Sequence, residues 1–293
     1  MMKFEGIMPA LVTPLNKDET INVEVLHKLI NYLTDKGADG FYVGGATGEG
    51  ISLATSERMI LAEESVKAIN HRKPCIIQVA AFDFHDAIRL AKHAEAIGAD
   101  AISATAPLFF QYDENDVYKY YKALAEAVHI PMMMYYNLAA GFPMSAKFAA
   151  RVFEIDNVTA IKWTSSNYYE MNVLKDLTHG EMNIINGPDE MLLMGLNAGA
   201  DGGIGTTYNF QLDNIKAVYN HFKAGDAKAA HEAQTFANRI IRALLNYKTF
   251  PATKVVLEAM GFAVGECTFP QTTYTDEQKA KIVAEIKAAG LEI

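Results

Sequence analysis

The three-residue phrase Gly-Ala-Asp recurs three times and constrains the fold more than any other feature of the sequence. It is present at residues 37–39, 98–100 and 199–201, each time after an amphipathic stretch and before a short apolar run. Glycine tolerates the left-handed conformation that ends many helices, and aspartate favours the turn into a buried strand. Each occurrence therefore predicts a joint between a helix and a strand.

Short apolar runs predict eight strands with helices between them. The candidate strands are residues 7–12, 40–43, 75–80, 101–104, 132–136, 159–162, 183–185 and 202–205. Apolar residues at spacings of three and four predict helices, most clearly at 23–35, 56–70, 87–97 and 116–127. Strict alternation favours an α/β fold of the closed (β/α)8 (TIM) barrel type, and a doubly wound sheet is the alternative.

After Tyr208 the pattern is helical throughout. Apolar periodicity predicts helices at residues 212–223, 227–246, 253–260 and 276–289. The first would complete the barrel, so we expect a catalytic barrel in residues 1–224 and a C-terminal helical extension in residues 225–293. Because no low-complexity linker separates the two, the extension should pack on the barrel.

Composition and charge limit the kinds of binding partner and the cellular compartment that we expect for this protein. The net charge of -9 and the pI near 5.4 disfavour a nucleic-acid or anionic-membrane surface, so we expect a small-molecule partner. No targeting segment or long apolar run is visible, which predicts a cytoplasmic protein. Cys75 lies in an apolar run and should be a buried, reduced thiol; neither it nor Cys267 has the spacing of a zinc site, and the histidines are scattered.

In a barrel of this type, functional groups lie at the carboxyl ends of the strands. The second strand is followed by a glycine-rich loop (residues 44–50), whose backbone N–H groups can bind a carboxylate or phosphate. Glu49 within this loop either takes part in binding or is a structural carboxylate bonded to neighbouring backbone.

The fifth and sixth strands end in residues suited to carbonyl chemistry. Lys162 points either into the barrel mouth, where its amine would be a nucleophile toward carbonyl carbons, or outward among the helices. Of the adjacent Tyr135 and Tyr136, one must face inward because side chains alternate along a strand. A phenol beside an imine-forming lysine can transfer protons, although such a pair also serves as core or wall.

The seventh and eighth strands end in short polar segments, residues 186–190 and 205–209. Both would lie at the same rim, where they suit a hydroxyl-rich substrate. The competing interpretation is that Asp189 caps a helix N-terminus.

Taken together, these segments resemble a known family along nearly the whole chain. Residues 44–49 are similar to a pyruvate-carboxylate loop, Tyr136 and Asn137 to a catalytic tyrosine motif, and Lys162 falls at the position of a Schiff-base lysine. The chain thus resembles the pyruvate-dependent class I aldolases, the family of N-acetylneuraminate lyase and dihydrodipicolinate synthase.

The resemblance implies an enzyme in which Lys162 forms the Schiff base and Tyr136 transfers protons. It further implies that Ala46 and Thr47 bind the pyruvyl carboxylate, that no metal or organic cofactor is required, and that the assembly is a homotetramer. Apolar residues 108–110 would meet a neighbouring subunit or roof their own active site.

The rim favours the lyase branch of the family. The synthase branch carries an arginine after its tyrosine motif, and residues 138–142 contain none. The segments beginning at Lys162, Gly187 and Gly205 are similar to the lyase branch instead. This resemblance implies reversible cleavage of N-acetylneuraminate to N-acetylmannosamine and pyruvate. The implied substrate-binding residues at the rim are Thr164, Gly187, Asp189, Glu190, Gly205 and Thr206.

Three departures from the family pattern keep other functions open. Ala46 replaces a hydroxyl residue, Phe109 and Phe110 stand where many relatives carry a tyrosine, and the loop after Asn137 is shorter and lacks a proline. The alternatives are an aldolase or dehydratase for another 2-keto-3-deoxy sugar acid, dihydrodipicolinate synthase, and a catalytically silent sugar-acid-binding barrel.

Overall fold

Eight parallel strands alternate with helices in the computed structural model, which describes residues 3–293 and, for Ala139, the backbone only. The strands are β1 (Gly6–Pro9), β2 (Phe41–Val43), β3 (Cys75–Gln78), β4 (Ala101–Thr105), β5 (Met132–Asn137), β6 (Val158–Thr164), β7 (Asn183–Asn186) and β8 (Gly202–Gly205). All eight predicted strands are present, with ends that shift by a few residues.

The strands close into a barrel. Their order is β1-β8-β7-β6-β5-β4-β3-β2, and the two end strands meet where Ala10 bridges Tyr42 and the Leu11 N–H donates to the Tyr42 carbonyl oxygen at 2.8 Å. The predicted TIM barrel is confirmed, and the doubly wound alternative is wrong because an open sheet leaves its end strands unpaired.

Eight helices surround the strands. They are α1 (Val23–Asp35), α2 (Thr55–Ile69), α3 (Phe84–Ala96), α4 (Glu114–Glu126), α5 (Ala146–Phe153), α6 (Tyr168–Leu177), α7 (Leu192–Asn197) and α8 (Tyr208–Lys223). Short polar side chains cap the first turns of several helices, as their backbone N–H groups require. These caps include Asn22, Asp83, Asp113, Ser145 and Asn167.

The C-terminal extension consists of α9 (Ala227–Leu244), α10 (Thr249–Ala259) and α11 (Asp276–Ala288). Helix α9 packs along α8, and buried side chains of α10 and α11 join the same core as the barrel helices. The extension is therefore part of the packed body of the protein.

Side-chain alternation divides the buried residues into two layers. The barrel interior holds one face of every strand, and the outer layer lies between the other face and the helices. Tyr42 and Tyr135 belong to the interior, whereas Trp163 and Tyr136 belong to the outer layer. This division decides which strand residues can reach the mouth.

The repeated Gly-Ala-Asp phrase forms the predicted joints. Gly37, Gly98 and Gly199 have φ of +85°, +84° and +106°, a region that favours glycine. Each aspartate also accepts a backbone N–H from the start of a neighbouring strand. The bonds join Asp39 to Ile7, Asp100 to Cys75 and Asp201 to Ile184 at 2.8, 2.8 and 2.9 Å. The amino ends of these strands are thus held by side-chain hydrogen bonds as well as by the backbone hydrogen bonds of the sheet.

Within residues 3–293, no helix is long and apolar enough to cross a membrane. Over the same range, no group of three or more His, Cys, Asp and Glu side chains is placed to hold a metal ion. Both cysteines are free, and Cys75 is buried as predicted, which raises the pKa of its thiol above the ordinary value.

Replacing Asp100 with alanine should destabilise the fold without touching the mouth of the barrel. The substitution leaves the buried Cys75 N–H without its acceptor, so we expect the free energy of unfolding to fall by about 1–3 kcal/mol. Urea unfolding followed by circular dichroism measures the change. Asp35→Ala, an exposed position at the end of α1, is the control; equal losses in the two variants would contradict this role of the repeat.

Candidate active site

Lys162 lies in β6 and points into the barrel interior, with only 5% of its surface exposed. Its Nζ is 4.7 Å from the centroid of the Tyr42 ring and 4.3 Å from that of Tyr135. Ile161 and Trp163, on either side of it, pack in the outer layer. The inward orientation is the one that a Schiff-base role requires.

The structure contradicts the expectation that Tyr136 faces Lys162. The register of β5 against β6 pairs Tyr135 with Lys162 and Tyr136 with Trp163. The Tyr136 and Trp163 rings meet edge to face in the outer layer, with centroids 4.7 Å apart. Because cross-strand neighbours share a face of the sheet, Tyr135 is the phenol beside the lysine amine.

Three further side chains complete this interior cluster: Asn137, which the sequence had already placed in the tyrosine motif, and Tyr42 and Ser103, which it had not singled out. Asn137 shares the inward face of β5 with Tyr135, and its Nδ2 donates to the Tyr135 hydroxyl oxygen at 3.2 Å. The Tyr42 hydroxyl donates to Ser103 Oγ at 3.0 Å, and the Tyr42 ring meets the Tyr135 ring edge to face. The phenols are therefore held in fixed orientations around the amine.

The glycine-rich loop lies at the carboxyl end of β2. Thr47 is buried, and its Oγ1 is 2.7 Å from Thr206 Oγ1 at the end of β8. Ala46 is exposed. A Cβ at residue 50 would overlap the Gly44 carbonyl oxygen, so only glycine allows the loop to close this tightly. The loop thus presents backbone N–H groups beside a partly buried hydroxyl pair.

Glu49 is a structural carboxylate, one of the two interpretations that its position allowed. Its Oε2 accepts hydrogen bonds from the Thr268 N–H at 2.7 Å and from Gln271 Nε2 at 2.6 Å. Its Oε1 is 2.8 Å from Lys254 Nζ. All three partners belong to α10 and the segment that follows it, more than 200 residues away, and this distance explains why the sequence alone left the role of Glu49 open.

Asp189 is buried and bonded to the segment that follows the neighbouring strand β8. Its Oδ2 accepts from the Thr207 N–H at 2.7 Å and from Thr207 Oγ1 at 2.6 Å. Burial raises the pKa of its carboxyl to about 6, and the hydrogen bonds from Thr207 oppose that rise. Asp189 begins a 3-10 turn whose N-cap is Pro188, so the interpretation of Asp189 as an N-cap is wrong.

Polar rim residues line a cavity of about 400 Å3 beside these groups. Five of the six predicted rim residues line it, namely Thr164, Gly187, Asp189, Glu190 and Thr206. The sixth, Gly205, lies behind Asp189, because a Cβ there would overlap Asp189 Oδ1. Lys162 lies on the same strand face as Thr164 and roughly 7 Å deeper. The apolar residues Ile241, Leu244 and Leu245 of the C-terminal extension form the opposite wall.

Large aromatic side chains are exposed where β3 and β4 end. Phe109 and Phe110 are 84% and 69% exposed, and Phe82 is 71% exposed. Phe109 also has φ of +79°, a region that non-glycine residues rarely adopt. Such exposure favours the interpretation in which these two rings meet a neighbouring subunit.

Comparison with known proteins identifies relatives over nearly the full length. The dihydrodipicolinate synthetase family model matches residues 3–289. N-acetylneuraminate lyase from Rhizobium meliloti is 33% identical over 269 residues, covering 92% of this chain and 90% of that protein. The structure of Proteus mirabilis N-acetylneuraminate lyase superposes with a TM-score of 0.95 at 30% identity, covering 99% of this chain and 100% of that one. A dihydrodipicolinate synthase from Bacillus anthracis gives a TM-score of 0.93 at 27% identity, covering 98% of this chain and 99% of its own.

The raised pKa of Asp189 predicts a pH-dependent contribution to stability. A carboxyl whose pKa in the folded protein, about 6, exceeds its ordinary value of 3.8 favours folding when it is protonated. Its contribution is complete below the lower value and is lost as pH rises through the higher one. As pH rises from 4 to 7, the free energy of unfolding of the wild type should therefore fall by up to about 3 kcal/mol relative to that of Asp189→Asn.

Urea unfolding of both proteins at a series of pH values measures this difference. Asp35→Asn, at an exposed position, is the control and should track the wild type throughout. A difference between wild type and Asp189→Asn that stays constant from pH 4 to pH 7 would show that burial does not perturb this carboxyl.

Proposed function

The chain belongs to the dihydrodipicolinate synthetase family of aldolase-type enzymes, and from this premise we propose that it forms a Schiff base through Lys162 and cleaves N-acetylneuraminate reversibly to N-acetylmannosamine and pyruvate. The observation that carries the proposal is the buried lysine amine flanked by two phenol rings, two residues along the same strand from Thr164, which lines the polar rim cavity. A primary amine in such surroundings can attack a carbonyl carbon and hold the resulting imine away from bulk water.

The glycine-rich loop would bind the pyruvyl carboxylate. We assign this role to the Ala46 and Thr47 backbone N–H groups together with the Thr47 hydroxyl. The exposed Ala46 contributes only its backbone. With the carboxylate fixed there, the adjacent keto carbon is directed toward Lys162.

The rim cavity would hold the hydroxylated chain of the substrate. Its polar wall offers the carboxylates of Asp189 and Glu190 and the hydroxyls of Thr164 and Thr206. The apolar wall from α9 suits the acetyl methyl group of an N-acetylated sugar acid. Arginine is absent from the residues that line this cavity, which disfavours a second substrate with its own carboxylate, such as that of the synthase.

Proton transfer is assigned to Tyr135 in place of Tyr136. Its hydroxyl protonates the oxygen that leaves as water when the lysine carbinolamine becomes an iminium ion. The phenolate then takes the proton of the substrate C4 hydroxyl, and C4 becomes an aldehyde carbon as the C3–C4 bond breaks. The electron pair of that bond forms the C2–C3 double bond of an enamine, while the π pair of the iminium group moves to nitrogen. Reprotonation of C3 and addition of water release pyruvate. The Asn137 amide, which donates to the same phenol oxygen, would stabilise its negative charge.

This chemistry needs no metal or organic cofactor, because the lysine supplies the electron sink. The homotetramer implied by the resemblance stays a prediction, as does the cytoplasmic location. The exposed Phe82, Phe109 and Phe110 support self-association, since large aromatic side chains seldom remain in water on a monomer.

Mass spectrometry after reductive trapping tests the proposal. Incubation with N-acetylneuraminate and borohydride should add a reduced pyruvyl group to Lys162, located by peptide mapping, and unreduced samples should release N-acetylmannosamine. Lys162→Met, which keeps the length of the side chain without its amine, is the matched control and should give neither product.

Each outcome has a distinct meaning. An adduct on Lys162 without amino-sugar release would keep the Schiff base and move the substrate to another 2-keto-3-deoxy sugar acid, where an aldehyde product marks an aldolase and its absence a dehydratase. No adduct with either N-acetylneuraminate or pyruvate would leave a silent sugar-acid-binding barrel.

The adjacent tyrosines provide a paired test of the proton-transfer role. Tyr135→Phe should lower kcat by about 10²–10⁴-fold, because it removes the phenol beside the amine and keeps the ring. Tyr136→Phe keeps the ring that packs on Trp163 and should leave kcat nearly unchanged. Steady-state cleavage assays distinguish the two; the reverse order of effects would return the role to Tyr136.

A further inference from the structure

We propose that Glu49 and Lys254 are positioning residues, through which the C-terminal extension sets the geometry of the glycine-rich loop and thereby its affinity for the substrate carboxylate. This inference rests on the proposed function, which assigns that carboxylate to the loop. The charged groups of Glu49 and Lys254 contact each other and the segment after α10, so they would act on the substrate carboxylate only through the backbone of residues 44–50.

The loop has a conformation that needs an external support. Glu49 has φ of +56°, in the left-handed region that non-glycine residues seldom adopt. The Glu49 N–H donates to the Ala46 carbonyl oxygen, and the Gly50 N–H to that of Gly45, both at 3.1 Å. These bonds form a tight turn that includes Ala46 and Thr47. A side chain anchored from outside offsets the cost of the left-handed residue.

That anchor is a nearly water-free ion pair. The Glu49 and Lys254 side chains are 1% and 3% exposed, with Oε1 and Nζ 2.8 Å apart. Lys254 Nζ also donates to the Glu266 carbonyl oxygen at 2.7 Å. Thr268 and Gln271 supply hydrogen bonds to the other carboxylate oxygen. The cost of removing two charges from water largely cancels the attraction between them. The main effect of the Glu49–Lys254 pair is therefore to hold the two side chains in one arrangement.

The anchor is close enough in the chain to control the binding groups. Only Gly48 separates Glu49 from Thr47, and the Gly48 carbonyl oxygen accepts from Thr13 Oγ1 at 2.6 Å. Thr47 is in turn bonded to Thr206. The loop is thus tied to β8, to the segment after β1 and to the extension. Without the contact to the extension, the backbone N–H groups of Ala46 and Thr47 would no longer be held in the orientation that binds the carboxylate. The side chains around Lys162 would stay in place.

The test measures how the trapping of pyruvate on Lys162 by borohydride depends on pyruvate concentration. In Lys254→Met, the half-saturating pyruvate concentration should rise about tenfold, as when a hydrogen bond to a charged ligand is lost. Adduct yield at saturating pyruvate should stay at the wild-type level. Lys175→Met is the matched control, because it breaks the 3.1 Å Lys175–Asp201 pair at the amino end of the barrel; its half-saturation should not change.

A milder variant keeps the test informative if Lys254→Met folds poorly. Gln271→Ala removes one hydrogen bond to Glu49 and leaves no charge unpaired, so it should raise the half-saturating concentration by a smaller factor. Wild-type trapping with unchanged half-saturation in the variants would overturn the positioning role alone. A wild type that forms no adduct would overturn the proposed function and this inference with it.

Discussion

Tyr135 and Lys162 are cross-strand neighbours, and the chemistry available at the mouth of the barrel depends on that pairing. A shift of one residue between β5 and β6 would exchange the phenol beside the amine for an outward side chain, since strand faces alternate. The barrel prevents such a shift because both strands are buried on two faces. Tyr136, Trp163 and their neighbours are buried in the outer layer, as Tyr42 and Tyr135 are buried in the interior. Packing in the outer layer therefore determines which tyrosine lies beside Lys162.

The fold could be predicted from the sequence because its signals are local. Glycine at a helix end and an apolar run of strand length each report on a few residues, and the repeat of Gly-Ala-Asp placed three of the joints. Helices α5 and α7 carried less signal because they span only eight and six residues. The lysine, the loop and the polar rim were also predicted, since strand ends in a barrel meet at one edge.

The parts of the site that the sequence did not reveal depend on contacts between distant segments. Tyr136 was chosen because it precedes an asparagine, but only the register against β6 shows that Tyr135 faces the amine. The role of Glu49 depends on Thr268 and Lys254, which no local pattern connects to it. Tyr42 is different, because side chains alternate along β2 and Tyr42 must lie on one of two faces. The argument that one of Tyr135 and Tyr136 faces inward could therefore also have identified Tyr42 as a candidate for the interior.

Helix α9 supplies one wall of the rim cavity, and the segment after α10 holds the glycine-rich loop from outside. On the proposed function, the smallest unit able to bind and turn over a substrate is therefore larger than the eight-stranded barrel. A shortened chain that ended after α8 would retain Lys162 and Tyr135 but lose the apolar wall of the rim cavity, which we propose contacts the far end of the substrate. Changes in substrate preference can accordingly arise in α9 while every residue that takes part in bond cleavage stays the same.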